Sequence, residues 1–151
     1  MPQCVFCKII ANELPSTRLY EDDTVIAFMD IHPLRPGHAL VIPRQHHQQA
    51  HQLDNLTRAH LLNTGSRIAQ ALYQSSLKPA AVHYVINDGP AAQQTVPHVH
   101  LHVMPRYQGD SAKFVARLLR KPLDILLGPV AREKLEKEAA EIRQQLEKLS
   151  A

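Results

Sequence analysis

Between residues 98 and 104 the chain reads His98-Val99-His100-Leu101-His102-Val103-Met104. Side chains along a strand point alternately to opposite faces. Val99, Leu101 and Val103 can therefore enter a core while His98, His100 and His102 line the other side. At about 3.3 Å per residue the outer two imidazoles stand roughly 13 Å apart, comparable to a nucleotide's phosphate and its neighbours. The run thus asks for a sheet with one face for packing and one for chemistry.

Three uses of such a face are open from the residues alone: a solvated polar strand, a metal site built from all three histidines, or chemistry at phosphorus. Imidazole suits the last. A neutral ring nitrogen is a good nucleophile, its phosphorus adduct hydrolyses readily, and a neighbouring histidine can protonate a departing group. With a reference pKa of about 6.5, most of the ring is neutral at physiological pH. Upstream, Gln94 and Thr95 offer neutral donors, and Asn87 ends the preceding strand. An Asn in Asn87-Asp88-Gly89-Pro90 also serves turn geometry.

The rest of the pattern surrounds this strand with an α+β domain. Cys4 to Ala11 reads as a short helix. Thr17–Tyr20 and Thr24–Met29 read as a hairpin through Glu21-Asp22-Asp23. His38–Ile42 is a third strand and Val82–Ile86 a fourth, with the fifth running from about His98 to Pro105. Asp54 is placed to cap a long helix from Asn55 to about Ser75, with Leu61, Gly65, Ile68 and Leu72 on one face. From Pro129 to Leu149 a last helix carries the stripe Ala131, Leu135, Ala139, Ile142, Leu146 and Leu149, with Glu133 and Lys137 spaced to pair. Hairpin signals without regular strand–helix alternation favour an antiparallel sheet.

Composition excludes several classes. At 151 residues and 44% apolar content the chain can bury a core. No apolar run approaches the roughly 20 residues of a membrane span. The start Met1-Pro2-Gln3-Cys4 has no leader pattern, so a cytoplasmic, membrane-free protein is expected. A net charge of +3 suits an anionic ligand. With no Trp and only 5% aromatics, a stacking groove for nucleic acid is not expected. The two cysteines, Cys4 and Cys7, form a Cys-x-x-Cys pair, which in a cytosolic chain points to metal or redox chemistry rather than a structural disulfide.

The histidine run and several upstream motifs together resemble the Hint-like branch of the histidine triad (HIT) family. Those motifs are Val5-Phe6-Cys7-Lys8-Ile9-Ile10, Glu13-Leu14-Pro15, Tyr20-Glu21-Asp22-Asp23, Ala27-Phe28-Met29-Asp30-Ile31 and Gly37-His38-Ala39-Leu40-Val41-Ile42-Pro43. The resemblance spans roughly residues 4 to 107. It implies a HIT-like fold: a five-stranded antiparallel sheet, one long helix, a short N-terminal helix and a C-terminal helix. It also implies a homodimer, often pairing sheets into a ten-stranded surface. On this reading residues 1–110 form the HIT domain, and 111–151 are a C-terminal helical extension packed on it.

For function, the resemblance implies hydrolysis or transfer of nucleotides through a nucleotidyl-histidine. His100 would be the nucleophile and His102 would contact the phosphate and assist the leaving group. Asn87, Gln94 and Thr95 would line the phosphate region, Asp30 would hold the ribose hydroxyls, and Phe6, Phe28 and Ile31 would surround a purine. Expected substrates are adenosine 5′-phosphoramidates or dinucleoside polyphosphates. A nucleotidyltransferase or phosphorylase using the same intermediate, and a non-catalytic nucleotide sensor or protein-interaction module, are the alternatives. Two positions depart from the pattern: Gln93 stands where such proteins usually have Gly, and Pro97 replaces a common aromatic or larger residue. The resemblance further implies structural zinc held by Cys4, Cys7, His46 and His98, with a redox pair, or His47 or His51 in place of His46, as alternatives.

Overall fold

The first hairpin turns where it does because Asp22 Oδ1 accepts from the amides of Thr24 and Val25, each at 2.8 Å, and its other oxygen receives the Tyr20 hydroxyl at 2.7 Å. In the computed structural model, which describes residues 4–150, this hairpin joins β1 (Arg18–Glu21) to β2 (Val25–Met29). Three more strands, β3 (Ala39–Pro43), β4 (Ala81–Ile86) and β5 (Leu101–Arg106), complete one sheet in the order β1-β2-β3-β5-β4. Every neighbouring pair is antiparallel, so the expected five-stranded α+β architecture is present.

Four α-helices flank the sheet: α1 (Val5–Ile10), α2 (Asn55–Gln74), α3 (Ser111–Leu127) and α4 (Arg132–Ser150). Asp54 caps α2 through the Thr57 amide at 2.9 Å. The predicted α2 face is buried as Leu61, Gly65, Ile68 and Leu72. From α4, Leu135, Ala139, Ile142 and Leu146 join it, and both helices share one core with Val25, Ala27, Val41, Val99, Leu101 and Val103, α2 lying on β2, β3 and β5 and α4 on α2 and β1. On the opposite sheet face Ile26, Phe28, Leu40 and Ile42 meet Phe6 and Ile9 of α1. Strands β2 and β3 are buried at every position because both faces are covered, which is why they read as unbroken apolar runs.

Gly65 marks where α2 comes nearest the histidine strand: a Cβ there would lie 2.6 Å from Leu101 Cδ2. Nearby, Gly37 adopts φ +80° and donates its amide to buried Glu138 of α4 at 2.8 Å. That bond fixes the entry to β3.

Three expectations are corrected. β5 begins at Leu101 rather than His98. Pro97 has no amide to give, and the Val99 amide donates to the His47 carbonyl at 2.8 Å instead of to a ladder partner. The alternation of faces nevertheless extends back through Val99. The last helix starts at Arg132, not Pro129, because the Val130 amide leaves the helical path to bond the Ile31 carbonyl at 2.9 Å. Its ion pairs run from Glu136 to Arg132 and Arg143 rather than from Glu133 to Lys137. Helix α3 was not drawn by the periodicity analysis. It contains Pro122, buries no residue, and leaves Leu119, Leu126 and Leu127 exposed, so its packing is not written in the pattern, although Gly128-Pro129 marks its end.

Candidate functional site

The histidines are organised by hydrogen bonds whose direction can be worked out. The carbonyl of His98 lies 2.7 Å from His100 Nδ1. A carbonyl only accepts, so Nδ1 carries the proton and Nε2 of neutral His100 is a bare lone pair. A second chain of bonds fixes His102. The Leu34 amide donates to His38 Nδ1 at 3.2 Å, and His38 Nε2 stands 3.0 Å from His102 Nδ1. With its Nδ1 occupied as an acceptor, neutral His38 carries its proton on Nε2 and donates it to His102. Neutral His102 is then protonated on Nε2.

Burial keeps these rings neutral. It pushes His38 down to about 4, against the pull of Asp30, and His102 down to about 3, aided by His38 and His100. It also lowers His100. For Asp30 burial acts in the opposite sense, but the His38 ring and the His32 amide outweigh it, holding the carboxyl below its ordinary value. Asp30 Oδ1 accepts from that amide at 2.8 Å, and Oδ2 lies 3.5 Å from His38 Nδ1. The site therefore pairs one bare imidazole nitrogen with one imidazole N–H, beside a carboxylate.

These groups open on a cavity of about 350 Å³. Phe6, Phe28, Asp30, Ile31, Thr95, His100 and His102 all line it, so the structure brings seven of the predicted residues together. Phe6 stands edge-on to Phe28 and to His100, with centroids 5.7 and 5.3 Å apart. Asn87 and Gln94 do not line the cavity. Asn87 Nδ2 reaches the Gln93 carbonyl at 3.5 Å, while Gln94 donates to the Gln48 carbonyl at 2.7 Å and accepts from the Gly89 amide at 2.8 Å. Gln93 occupies the left-handed region, φ 63° and ψ 32°, at the position where glycine was expected.

Sequence reasoning missed three residues. His38 has a signal in the sequence: it is a polar residue opening an otherwise apolar strand. Lys121 and its neighbour Ile125 line the cavity from α3, and with that helix unread there was nothing to find them by.

Beside the cavity, Cys4, Cys7, His46 and His98 bring their donor atoms within 4.8 Å of one another. Cys7 Sγ lies 3.3 Å from His46 Nδ1 and 3.7 Å from His98 Nδ1; Cys4 Sγ lies 3.6 Å from His98 Nδ1; and the two Nδ1 atoms are 3.2 Å apart. His98 Nε2 donates to the Pro43 carbonyl at 2.8 Å, leaving Nδ1 free as a ligand atom. His46, rather than His47 or His51, belongs to this cluster. Burial and the Cys4 thiol push the Cys7 pKa up, so ionising Cys7 calls for a cation beside it.

An antiparallel five-stranded sheet presenting alternate histidines beside an aromatic cavity defines the histidine triad class of α+β protein. The HIT domain family model matches residues 11–109, and the chain belongs to that family. An uncharacterized HIT-like protein of Mycobacterium tuberculosis is 41% identical over 139 residues, which are 91% of this chain and 96% of that protein. A Zn-bound histidine triad family protein from Mycobacterium smegmatis superposes with a TM-score of 0.82 at 35% identity, covering 98% of this chain and 96% of the other. Two relatives bear the names of enzymes. One is the adenylylsulfatase HINT3 of Arabidopsis thaliana, 32% identical over 92% of this chain and 65% of its own length. The other is the adenosine 5′-monophosphoramidase hnt1 of Schizosaccharomyces pombe, 36% identical over 68% of this chain and 74% of its own.

Proposed function

We propose that this protein is a nucleotide hydrolase that cleaves a phosphoramidate or phosphoanhydride bond at a nucleoside α-phosphate. The observation that carries the reading is the 2.7 Å bond from His100 Nδ1 to the His98 carbonyl, which leaves Nε2 unprotonated beside the cavity. His100 Nε2 attacks the α-phosphorus, the phosphorus–nitrogen bond forms and the bond to the leaving group breaks. His102 Nε2–H donates a hydrogen bond to the departing atom, which takes its proton from solvent. Water then attacks phosphorus and releases a proton to solvent, the phosphorus–nitrogen bond breaks, and the nucleoside monophosphate leaves with His100 restored. Asp30 accepts from the ribose hydroxyls, and Phe6, Phe28 and Ile31 enclose a purine. Thr95 serves the phosphate directly; Asn87 and Gln94 serve it by holding the loop that carries Gln93. The activities in the names of the two enzyme relatives support this class of substrate.

The Cys4, Cys7, His46 and His98 cluster fits zinc. Bond lengths of about 2.3 Å to sulfur and 2.0–2.1 Å to nitrogen make a tetrahedron with edges of about 3.3 Å between nitrogens and about 3.6 Å between nitrogen and sulfur. The distances here are 3.2 Å and 3.3 to 3.7 Å. Zinc would act structurally, tying α1 to the sheet, because four protein ligands leave no open position. Thiolates of this kind belong in a reducing compartment, and we assign the protein to the cytoplasm.

We extend the reading to a homodimer through β4. It is an edge strand with Tyr84 and Ile86 exposed, and such an edge invites pairing. Residues 1–110 are then the catalytic unit, and 111–151 pack on it.

Hydrolysis of adenosine 5′-phosphoramidate and dinucleoside tri- and tetraphosphates by wild type and His100→Ala tests the reading. Turnover in the first and none in the second, with nucleotide still bound by both, is the expected result. Equal turnover in both would rule the mechanism out.

A further inference from the structure

The region matched by the family model ends at residue 109, before α3 begins at Ser111. The helix is pinned at its start. Asp110 holds Arg106 at 2.8 Å and Arg35 at 3.1 Å, Arg106 lies 4.1 Å over the Phe114 ring, and Phe114 stands edge-on to His83. Seven residues on, two turns later and on the same side of the helix as Phe114, comes Lys121. Four further comes Ile125, and both line the cavity with His100 and His102. A body-facing position on an amphipathic helix ordinarily holds an apolar residue. Here it holds a lysine.

Its charge has work available. Asp30 is the carboxylate and Lys121 the ammonium among the residues lining the cavity, so without Lys121 the carboxylate would stand alone and repel an anionic ligand. Arg117 and Arg120 on the same helix are tied to Asp124 at 3.3 and 3.6 Å, whereas Lys121 has no ion-pair partner among the described residues. The ammonium is near enough to depress the pKa of Asp30, His38 and His102 alike. Under the proposed mechanism the α-phosphate already has His102 Nε2–H and Thr95. An unpaired cation supplied by a separate element is then left for something else.

We propose that Lys121 selects nucleotides carrying a second anionic group beyond the α-phosphate. That group could sit in the leaving portion, as a further phosphate or a sulfate, or on a ribose hydroxyl. The Asp30 carboxylate beside the ribose opposes the latter, so the leaving portion is favoured. The inference rests on the reading that the cavity takes a nucleotide.

The test is calorimetric binding of AMP, ADP and adenosine 3′,5′-bisphosphate to the zinc-replete full chain, in a His100→Ala background so that no ligand is consumed. Each is compared with the same chain carrying Lys121→Gln or Lys121→Arg. ADP should bind the background chain more tightly than AMP. Lys121→Gln should cost ADP roughly 10- to 100-fold, the worth of a charge-assisted hydrogen bond, and AMP much less. Lys121→Arg should restore the difference. A gain for the 3′,5′-bisphosphate in place of ADP keeps the selection and moves it to the ribose. Equal losses for AMP and ADP would assign Lys121 to the α-phosphate and overturn the proposal, as would no loss for either. Failure of all three nucleotides to bind the background chain would overturn the nucleotide reading itself. Turnover of the substrate panel by wild type reports separately on hydrolysis.

Discussion

His38 Nε2 and His102 Nδ1 face each other at 3.0 Å, and the pair is completed at its far end by the Leu34 amide. A backbone N–H thus decides, two rings away, which nitrogen of His102 holds a proton. Replacing His38 by Phe keeps a ring of similar size but removes the donor. We expect the rate of the first chemical step to fall roughly 10²-fold, within the range for losing one aligned donor to developing charge, while the nucleotide dissociation constant changes little. Single-turnover kinetics against equilibrium binding would separate the two. Unchanged chemistry would mean that His102 chooses its tautomer unaided.

The same burial makes the fold sensitive to acid. His38 and His102 titrate in the folded protein at about 4 and about 3, against about 6.5 in an unfolded chain. Above pH 6.5 both states hold these rings neutral and nothing is lost. Below it the unfolded chain takes up protons that the folded one refuses, so stability falls with pH. Two such groups give a slope of roughly 2 to 3 kcal/mol per pH unit near pH 5. Denaturant melts at pH 7, 6 and 5 measure it. His38→Phe should remove about half the slope, and identical midpoints at pH 7 and 5 would contradict the account.

Metal analysis should find one zinc per chain, and none after Cys7→Ser. The variant should melt at least roughly 10 °C lower, because metal binding at such a site is folding energy. It should also hydrolyse nucleotides more slowly, since the residue whose ring joins the Cys/His cluster lends its carbonyl to His100. A variant as stable and as active as wild type would remove zinc from the description.

Gln93 carries backbone strain in the loop beside the site, at φ 63°. A non-glycine residue there costs about 1–2 kcal/mol, and glycine gives part of that back through the entropy of the unfolded chain. Gln93→Gly should therefore raise stability by about 0.5 to 1 kcal/mol, readable as a higher denaturant midpoint at unchanged m-value.

Gly65→Ala should do the reverse. The new methyl would press on Leu101, itself 2% exposed and held between α2 and the sheet. Overpacking of this kind costs about 1 to 3 kcal/mol. A neutral result would show that Leu101 finds another rotamer.

What could be read in advance followed from residues whose role is local or periodic. The alternation through Val99, Leu101 and Val103 gave the core face of the histidine segment. Asp54 gave the start of α2, and the Cys4–Cys7 spacing gave half of the cluster, with His46 and His98 added by resemblance. The ladder's first residue was misplaced because Pro97 and the His47 carbonyl compete for the backbone, a tertiary effect. Asn87 and Gln94 were expected at the cavity on resemblance, but Asn87 is engaged within its own loop and Gln94 ties that loop to the Gln48 carbonyl. His38 was passed over because its role lies in a contact 64 residues away. Lys121 was invisible because an exposed helix interrupted by proline does not announce the side it turns inward.

Helix α3 buries none of its residues, yet it forms part of the wall around the chemistry. Most substitutions on it therefore leave the core untouched, and their consequences fall on which molecules are admitted. A protein arranged this way can drift toward new substrates by small surface changes while its sheet, its relay of imidazoles and its folding stay the same. The imidazoles and the lysine proposed to select among ligands thus lie on separate stretches of chain.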